Sequence, residues 1–298
     1  MLRRQKPAAP VCRLIQIERM KFSIVTPSFR NSNWLKLCIA SVADQRGVEL
    51  EHIVQDSCSD DGTLDWLPRD PRVRAFVEKD GGMYDAINRG YRRATGDILA
   101  YLNCDEQYLP GALRAVADFF AAHPRVDIVF GDSIVVDAGG SYVCHRKVLV
   151  PLKHHSRVCT LGVLSCGMFF RRSVLEKYGL FFDAKWRDAG DLDWVLRALE
   201  QRVPMAVLRR FTSTFADTGD NMNLKPNARR ETRLIFESAP PLVQKLAPAI
   251  KIYHRLRRLV HGIYFQKPFS YSIYTPVSLE RRVEVRVDKP TFIWKGRM

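Results

Sequence analysis

Apolar positions along the chain switch repeatedly between two periods. FSIVT (22–26) is a short apolar run of strand type that stops at Pro27, whereas Trp34, Leu35, Cys38, Ile39 and Val42 in the next segment recur at helical spacing. ELEHIVQD (49–56) reads as a second strand closed by the Ser/Asp/Gly turn SCSDDGT, which also supplies helix-capping side chains. VRAFVE (73–78), DILAYLN (97–103) and DIVFGD (127–132) read as further strands, with helices over 83–94 and 111–122 between them. Strands spaced by helices of about ten to fifteen residues predict an α/β fold with a mostly parallel, doubly wound sheet. A hairpin turn follows at Ala138-Gly139-Gly140, then less regular chain until a helix over 190–202.

In such sheets ligands bind beyond the carboxyl ends of the strands. That rule gathers four loops on one rim: Thr26 to Asn31, Asp56 to Gly62, Lys79 to Tyr84 and Asn103 to Leu109. Acidic residues recur on three of them. The first loop, TPSFRN, has no glycine, so the G-x-G-x-x-G dinucleotide fingerprint is absent where it would have to stand.

With 298 residues, 46% hydrophobic and 27% charged, the chain has enough apolar material for a full core without disulfide or metal staples. Its net charge of +15 points first to a polyanionic partner. The charge is unevenly placed, however. Residues 1–21 carry six Lys/Arg against one Glu, residues 225–298 sixteen against five, and residues 22–224 only 25 against 26. A near-neutral body with basic ends argues against a nucleic-acid-binding core, and no nucleic-acid partner is expected. The seven cysteines show no CxxC and no zinc spacing, as in reduced, mostly buried thiols. No apolar run reaches membrane-spanning length, and no apolar stretch follows Arg3, Arg4 and Lys6 in the manner of a secretory signal. Residues 1–20 read as a basic tail, disordered or an upstream mis-start ahead of Met20, and the protein as cytoplasmic.

Three places carry candidate chemistry. Asn103-Cys104-Asp105-Glu106 ends a strand, and such oxygen ligands suit Mg²⁺ or Mn²⁺ shared with a diphosphate. In EKDGGMYDAINRGYRRATGD, Met83, Ala86, Ile87, Gly90 and Tyr91 form a core stripe, with Tyr84 and Asn88 one turn apart beside it; Asp85 and Arg89 have the spacing of a surface ion pair. In the late helix, Asp193 and Arg197 pair in the same way, while Asp191 stands in the first turn behind Gly190, where a carboxylate could act as a base.

These blocks together resemble the family 2 glycosyltransferases of GT-A fold, especially bacterial enzymes of surface-polysaccharide assembly. FSIVTPSFRN, HIVQDSCSDDGT, EKDGGMYDAINRGYRRATGDILAYLNCDE and AGDLDWVLRAL match in order over residues 22–222, and K-D-x-G-x-Y-D-A-x-N-x-G, T-G-D and L-N-x-D keep their spacing across 27 residues. The resemblance implies a mostly parallel Rossmann-like sheet flanked by helices over 21–224. It further implies inverting transfer from a nucleotide-diphosphate sugar, UDP-sugar favoured, to a hydroxyl of a glycan or lipid-linked acceptor. Thr26, Pro27, Ser28, Arg30, Asp56, Lys79, Asp80, Tyr84, Asn88 and Asn103 would then bind nucleotide, Asp105 a divalent metal, and Asp191 would be the general base. The sequence departs from the family at Asn103 and Glu106 in the metal motif, at Gly190 before Asp191, and at Cys58 in the second loop.

Residues 225–298 form a basic extension expected to be largely helical. Leu242, Leu246, Ile250, Tyr253, Leu256, Val260 and Ile263 repeat at three- and four-residue steps among Lys245, Lys251, Arg255, Arg257 and Arg258. This suits a helix lying on an anionic membrane at the inner face of the plasma membrane, or one packed on the catalytic body. The alternative to an enzyme is a catalytically inert GT-A-like protein that uses its basic ends to bind membrane or RNA.

Overall fold

The computed structural model describes residues 20–219, 221 and 225–294; the expectations for residues 1–19 lie outside them. In chain order the elements are β1 (Lys21–Ser28), α1 (Ser32–Ala43), β2 (Glu49–Asp56), β3 (Arg74–Val77), α2 (Met83–Arg93), β4 (Ile98–Tyr101), β5 (Glu106–Tyr108), α3 (Ala112–Ala122), β6 (Ile128–Asp137), β7 (Tyr142–Arg146), α4 (Lys153–Val158), β8 (Met168–Arg171), α5 (Ser173–Tyr178), α6 (Gly190–Glu200) and β9 (Met205–Asp217). Three helices follow, α7 (Pro226–Glu237), α8 (Pro241–Lys245) and α9 (Ala247–Val260), then a hairpin of β10 (Phe269–Thr275) and β11 (Ser278–Val287).

The central sheet runs β3-β2-β1-β4-β8-β6-β9-β5, with β7 beside the far half of β6. From β3 to β4 every pairing is parallel, and β6 pairs parallel with β9; β8 is inserted antiparallel between β4 and β6, and β7 and β5 pair antiparallel with β6 and β9. The mostly parallel α/β sheet flanked by helices is therefore present, its parallel half built from the four strands with the plainest periodicity. Met20 is buried with Phe22, Ile24 and the apolar faces of α1 and α3 on one side of the sheet. Val25, Ile53 and Tyr101 pack with α2 and α6 on the other. Helix α2 can approach this closely because residue 90 is glycine: a Cβ there would lie 2.4 Å from Val25 Cγ1.

Two expectations need correction. The loop from Asn103 to Leu109 is shorter than it reads, because Glu106–Tyr108 pairs antiparallel with β9. Residues 225–294 are only partly helical: alternation in FSYSIYT and SLERRVEVRV makes the β10–β11 hairpin, with Pro276 and Val277 at its turn. The hairpin is fastened to the body. Tyr274 exchanges backbone bonds with the Gln107 amide at 2.9 Å, and the Arg282 guanidinium grips Asp44 at 2.6 and 2.7 Å.

Candidate active site

The carboxyl ends of β1, β2 and β4, together with the start of α6, form one end of the sheet. At the end of β2, Asp56 is fully buried and accepts from Ser28 Oγ, Ser59 N and Ser59 Oγ, each at 2.8 Å, so it ties the first loop to the second. Arg30 is exposed, has a positive φ of 53°, and its guanidinium meets the Asp60 carboxylate at 2.5 and 2.6 Å. Asp61 Oδ2 accepts from Ser32 N at 3.0 Å and so caps α1 from the neighbouring loop. Pro27 is half-buried beside them, and its carbonyl accepts from Cys104 Sγ. Thr26 turns the other way: its hydroxyl is buried against His52 Nε2 at 2.8 Å, leaving its side chain no access to the rim.

The third loop leads into α2. Lys79 is exposed, and Asp80 Oδ1 accepts from Gly82 N at 2.8 Å, which orders the turn. Asp85 pairs with Arg89 at 2.8 Å and Asp193 with Arg197 at 2.7 Å, as their spacing predicts. Asn88 lies beneath the rim rather than on it. Its amide gives to the Phe182 carbonyl at 2.8 Å and takes from Phe182 N at 2.9 Å, so both polar ends are used in holding that segment.

At the end of β4 the polar groups are strained for partners. Glu106 is fully buried; Oε2 accepts from Asn103 N at 2.8 Å, while Oε1 has no partner, and neither has the buried Asn103 Oδ1. Asp105 beside it is half-buried, and burial holds its carboxyl above the ordinary carboxylate range. Burial raises Glu106 likewise, with the Asp105 charge adding to it and Asp191 contributing a smaller effect. Adjacent, undercompensated oxygens of this kind suit a hard divalent cation, which needs only one or two carboxylates when phosphate and water complete its shell. Among the described residues no cluster of three or more His, Cys, Asp or Glu is found, so any cation here would rest on this smaller set.

Facing them, α6 presents Asp191 from its first turn. Burial pushes its carboxyl up to about 6, against the bond that Oδ1 accepts from Leu192 N at 2.8 Å. Tyr84, buried and stacked on Phe182, accepts from Asp191 N at 3.2 Å and donates to the Asp188 carbonyl at 3.4 Å. Tyr84 is thus a positioning residue under the carboxylate. Residue 190 has to be glycine for this contact, since a Cβ would stand 2.5 Å from the Tyr84 ring. Gly190→Ala is expected to destabilise the fold by about 1–3 kcal/mol through overpacking, read by urea denaturation, and to impair turnover as Tyr84 shifts. Unchanged stability would mean that the ring does not hold the helix start.

A residue that the sequence reading passed over completes the support. Glu231 of α7 is buried and accepts from the N–H groups of Arg187, Asp188 and Ala189, all at 2.9 Å. Burial works against its charge, but these backbone donors and Asn227 keep its carboxyl below the ordinary range. Arg187, from the same segment, reaches across to the Gly81 carbonyl at 2.5 Å and links the start of α6 to the third loop. The signal was present in the sequence: Glu231 is the one acid in 225–236, set among four basic residues.

Residues 23–179, more than half the chain, match the family described as glycosyl transferase family 2. The chain belongs to that family. Its curated relatives include a PGL/p-HBAD biosynthesis glycosyltransferase of Mycobacterium tuberculosis, 30% identical over 186 residues, which are 59% of this chain and 68% of the relative. A Nostoc glycosyltransferase is 25% identical over 56% of each chain. Among solved structures, S. aureus TarS 1-349 in complex with UDP-GlcNAc superposes with a TM-score of 0.58 at 20% identity, covering 81% of this chain and 73% of that one. In another TarS structure the likeness covers 46% of the TarS chain. The mannosyltransferase PcManGT from Pyrobaculum calidifontis, in complex with GDP-Man and Mn2+, gives 0.52 at 16% identity, over 82% and 79% of the two chains. These likenesses place the family 2 chain in the GT-A-type fold. Within it, Ser28, Asp56, Asp80 and Tyr84 from separate loops are tied into one end of the sheet, with Asn103, Asp105 and Asp191, whereas the side chains of Thr26 and Asn88 are spent inside the protein.

Proposed function

We propose that the chain catalyses inverting transfer of a sugar from a nucleotide-diphosphate donor to a hydroxyl of a glycan or lipid-linked acceptor in assembly of a bacterial surface polysaccharide. The observation that carries this reading is the meeting of two kinds of carboxylate at one end of the sheet. Glu106 Oε1 and Asn103 Oδ1 lack partners and burial raises the Asp105 and Glu106 carboxyls, while Asp191, near enough to raise Glu106, is braced by Tyr84. Asp105, with Asn103 and Glu106 beside it, would hold a divalent cation, Mg²⁺ or Mn²⁺. When bound, such a cation supplies Lewis-acid stabilisation of the charge that develops on the diphosphate.

The remaining work falls to the chain. Pro27, Ser28, Arg30 and Asp56 would line the nucleoside side, and Lys79, Asp80 and Arg187 the diphosphate side. Asp191 takes the acceptor hydroxyl proton as the oxygen forms its bond to the anomeric carbon; the bond from that carbon to the phosphate oxygen breaks, and the diphosphate leaves with the electron pair. One displacement inverts the anomeric centre, and no covalent glycosyl-enzyme forms. A base with a pKa near 6 is mostly ionised at neutral pH yet still accepts a proton effectively. The donors in the TarS and PcManGT complexes are UDP-GlcNAc and GDP-Man, which supports a pyrophosphate-linked sugar as the donor class.

Thermal shift with UDP, GDP and dTDP, each with and without Mn²⁺, tests the donor assignment. One diphosphate is expected to raise Tm by about 4 °C or more at a hundredfold excess over Kd, and only with the metal. If none shifts Tm in the presence of Mn²⁺, the nucleotide-sugar assignment fails.

A further inference from the structure

A second polar site lies away from the candidate active site, between β7, α4 and α9. It is a cavity of about 140 Å³, and no Asp or Glu lines it. Arg146 and Lys147 line it from β7 and the residue after it, and Lys251, Arg255 and Arg258 from one face of α9. The Arg146 and Arg258 guanidinium groups lie over the aromatic rings of Trp294 and Tyr264, at 5.8 and 4.7 Å, and neither pairs with a carboxylate among the described residues. Lys147 donates to the Phe265 carbonyl; its acidic neighbour, Asp132, is already paired with Arg209 at 3.0 Å.

The neutral groups in the wall are also waiting for a partner. Ser156 is 1% exposed and His155 5%, and both line the cavity; the Ser156 hydroxyl has no hydrogen-bond partner, nor has the buried Nδ1 of His254. The His155 and His254 rings stack at 3.6 Å, and burial together with the nearby cations lowers both, to about 4. Five cations, two imidazoles and a hydroxyl converging without a carboxylate form a site for an anion with several acceptor oxygens.

The same helix says where that anion comes from. Lys251, Arg255 and Arg258 lie toward the cavity, and the adjoining face of α9 leaves Ile252, Tyr253, Leu256, Leu259 and Val260 in solvent, Val260 at 84% and Leu256 at 55% exposure. A basic cavity beside an uncovered apolar helix face matches the two halves of an anionic phospholipid at a bilayer surface. We propose that this cavity binds the phosphate of an anionic membrane lipid while the apolar face of α9 sits in the bilayer interface, fixing the protein to the membrane independently of its donor and acceptor. His155, in the cavity wall, belongs to this anchor.

Flotation of the full chain with phosphatidylcholine vesicles, with and without phosphatidylglycerol, tests the proposal, with no sugar donor present, so the outcome is separate from that of the transfer reaction. Binding is expected only to the anionic vesicles. Lys251→Ala/Arg255→Ala at the exposed lip, Arg146→Ala/Arg258→Ala in the wall and Leu256→Ser/Val260→Ser on the apolar face should each weaken it about tenfold or more. The control Arg125→Ala/Arg281→Ala, which removes the same charge elsewhere, should leave it unchanged. The lip pair is solvent-exposed, so its result stands even if the wall variant folds poorly. An equal loss in the control, or binding indifferent to the lip and apolar variants, overturns the site. Three outcomes in place of vesicle binding also overturn it. Stabilisation by inorganic phosphate, abolished in the wall variant, assigns the cavity to a free anion; RNA binding abolished in the lip variant assigns it to nucleic acid; self-association abolished by Leu256→Ser/Val260→Ser assigns the face to a second copy.

Discussion

Asp191→Asn is expected to lower kcat/KM for sugar transfer about 10²- to 10⁴-fold, the usual contribution of a positioned general base. The substitution keeps size and the acceptor oxygen that meets Leu192 N, and Tyr84 still supports the backbone, so Tm and donor affinity should be little changed. The pH profile separates a base from a merely structural carboxylate. Burial raises the Asp191 carboxyl to about 6, so the wild-type rate should fall as pH drops through that value and the carboxyl takes up the proton it must be free to accept. The residual activity of the amide variant should lack that limb. A variant that retains near-wild-type turnover, or the same acid limb, would exclude Asp191 as the base.

Asp105→Asn should have an effect of similar size on the other half of the reaction, about a 10³-fold loss of turnover, with the Mn²⁺-dependent thermal shift by nucleotide diphosphate abolished. Stability should move in the opposite direction. A carboxyl whose pKa in the fold lies above its unfolded value favours the native state only while protonated; that contribution is complete below the unfolded pKa and is lost as pH rises through the folded one. Asp105 has such a raised pKa through burial, and Glu106 next to it is raised too, so at neutral pH the pair opposes folding. Without metal, the variant should therefore melt higher than wild type, by a margin that widens from about pH 4, where the unfolded carboxyl ionises, to about pH 6, its value in the fold, and stays level above that. Differential scanning fluorimetry across that range reads both parts. A wild-type Mn²⁺ response in the variant would remove Asp105 from the metal set, whatever its Tm.

The strands and helices that were easiest to read are those whose hydrophobic pattern answers only to their own neighbours. β1, β2, β4, α1 and α2 follow the expected boundaries within a few residues, and Asp85 and Asp193 make the one-turn ion pairs their spacing implies. The motif residues were legible as a set but not one by one. Thr26 and Asn88 share the motif with Ser28 and Tyr84, and each pair has same-face spacing, i and i+2 in a strand and i and i+4 in a helix; spacing therefore does not separate them, and it is the packing of His52 and Phe182 that engages Thr26 and Asn88 inside the protein. β5 was hidden because Glu106–Tyr108 is too short to show a period and is held by β9 and the distant hairpin. Glu231 was hidden for the same reason at longer range: it acts 42 to 44 residues from the backbone it clamps.

The chain by itself determined the α/β class, the order of the parallel strands' loops and the residue types that gather at their carboxyl ends, because periodicity and motif spacing are local properties. Tertiary structure decided which polar atoms at that end stay without partners, how Tyr84 and Gly190 set Asp191, and how the basic excess divides between Glu231's neighbours, the hairpin and the carboxylate-free cavity. Burial, close approach and the satisfaction of buried polar groups are relations between distant segments, and they exist only once the chain has folded.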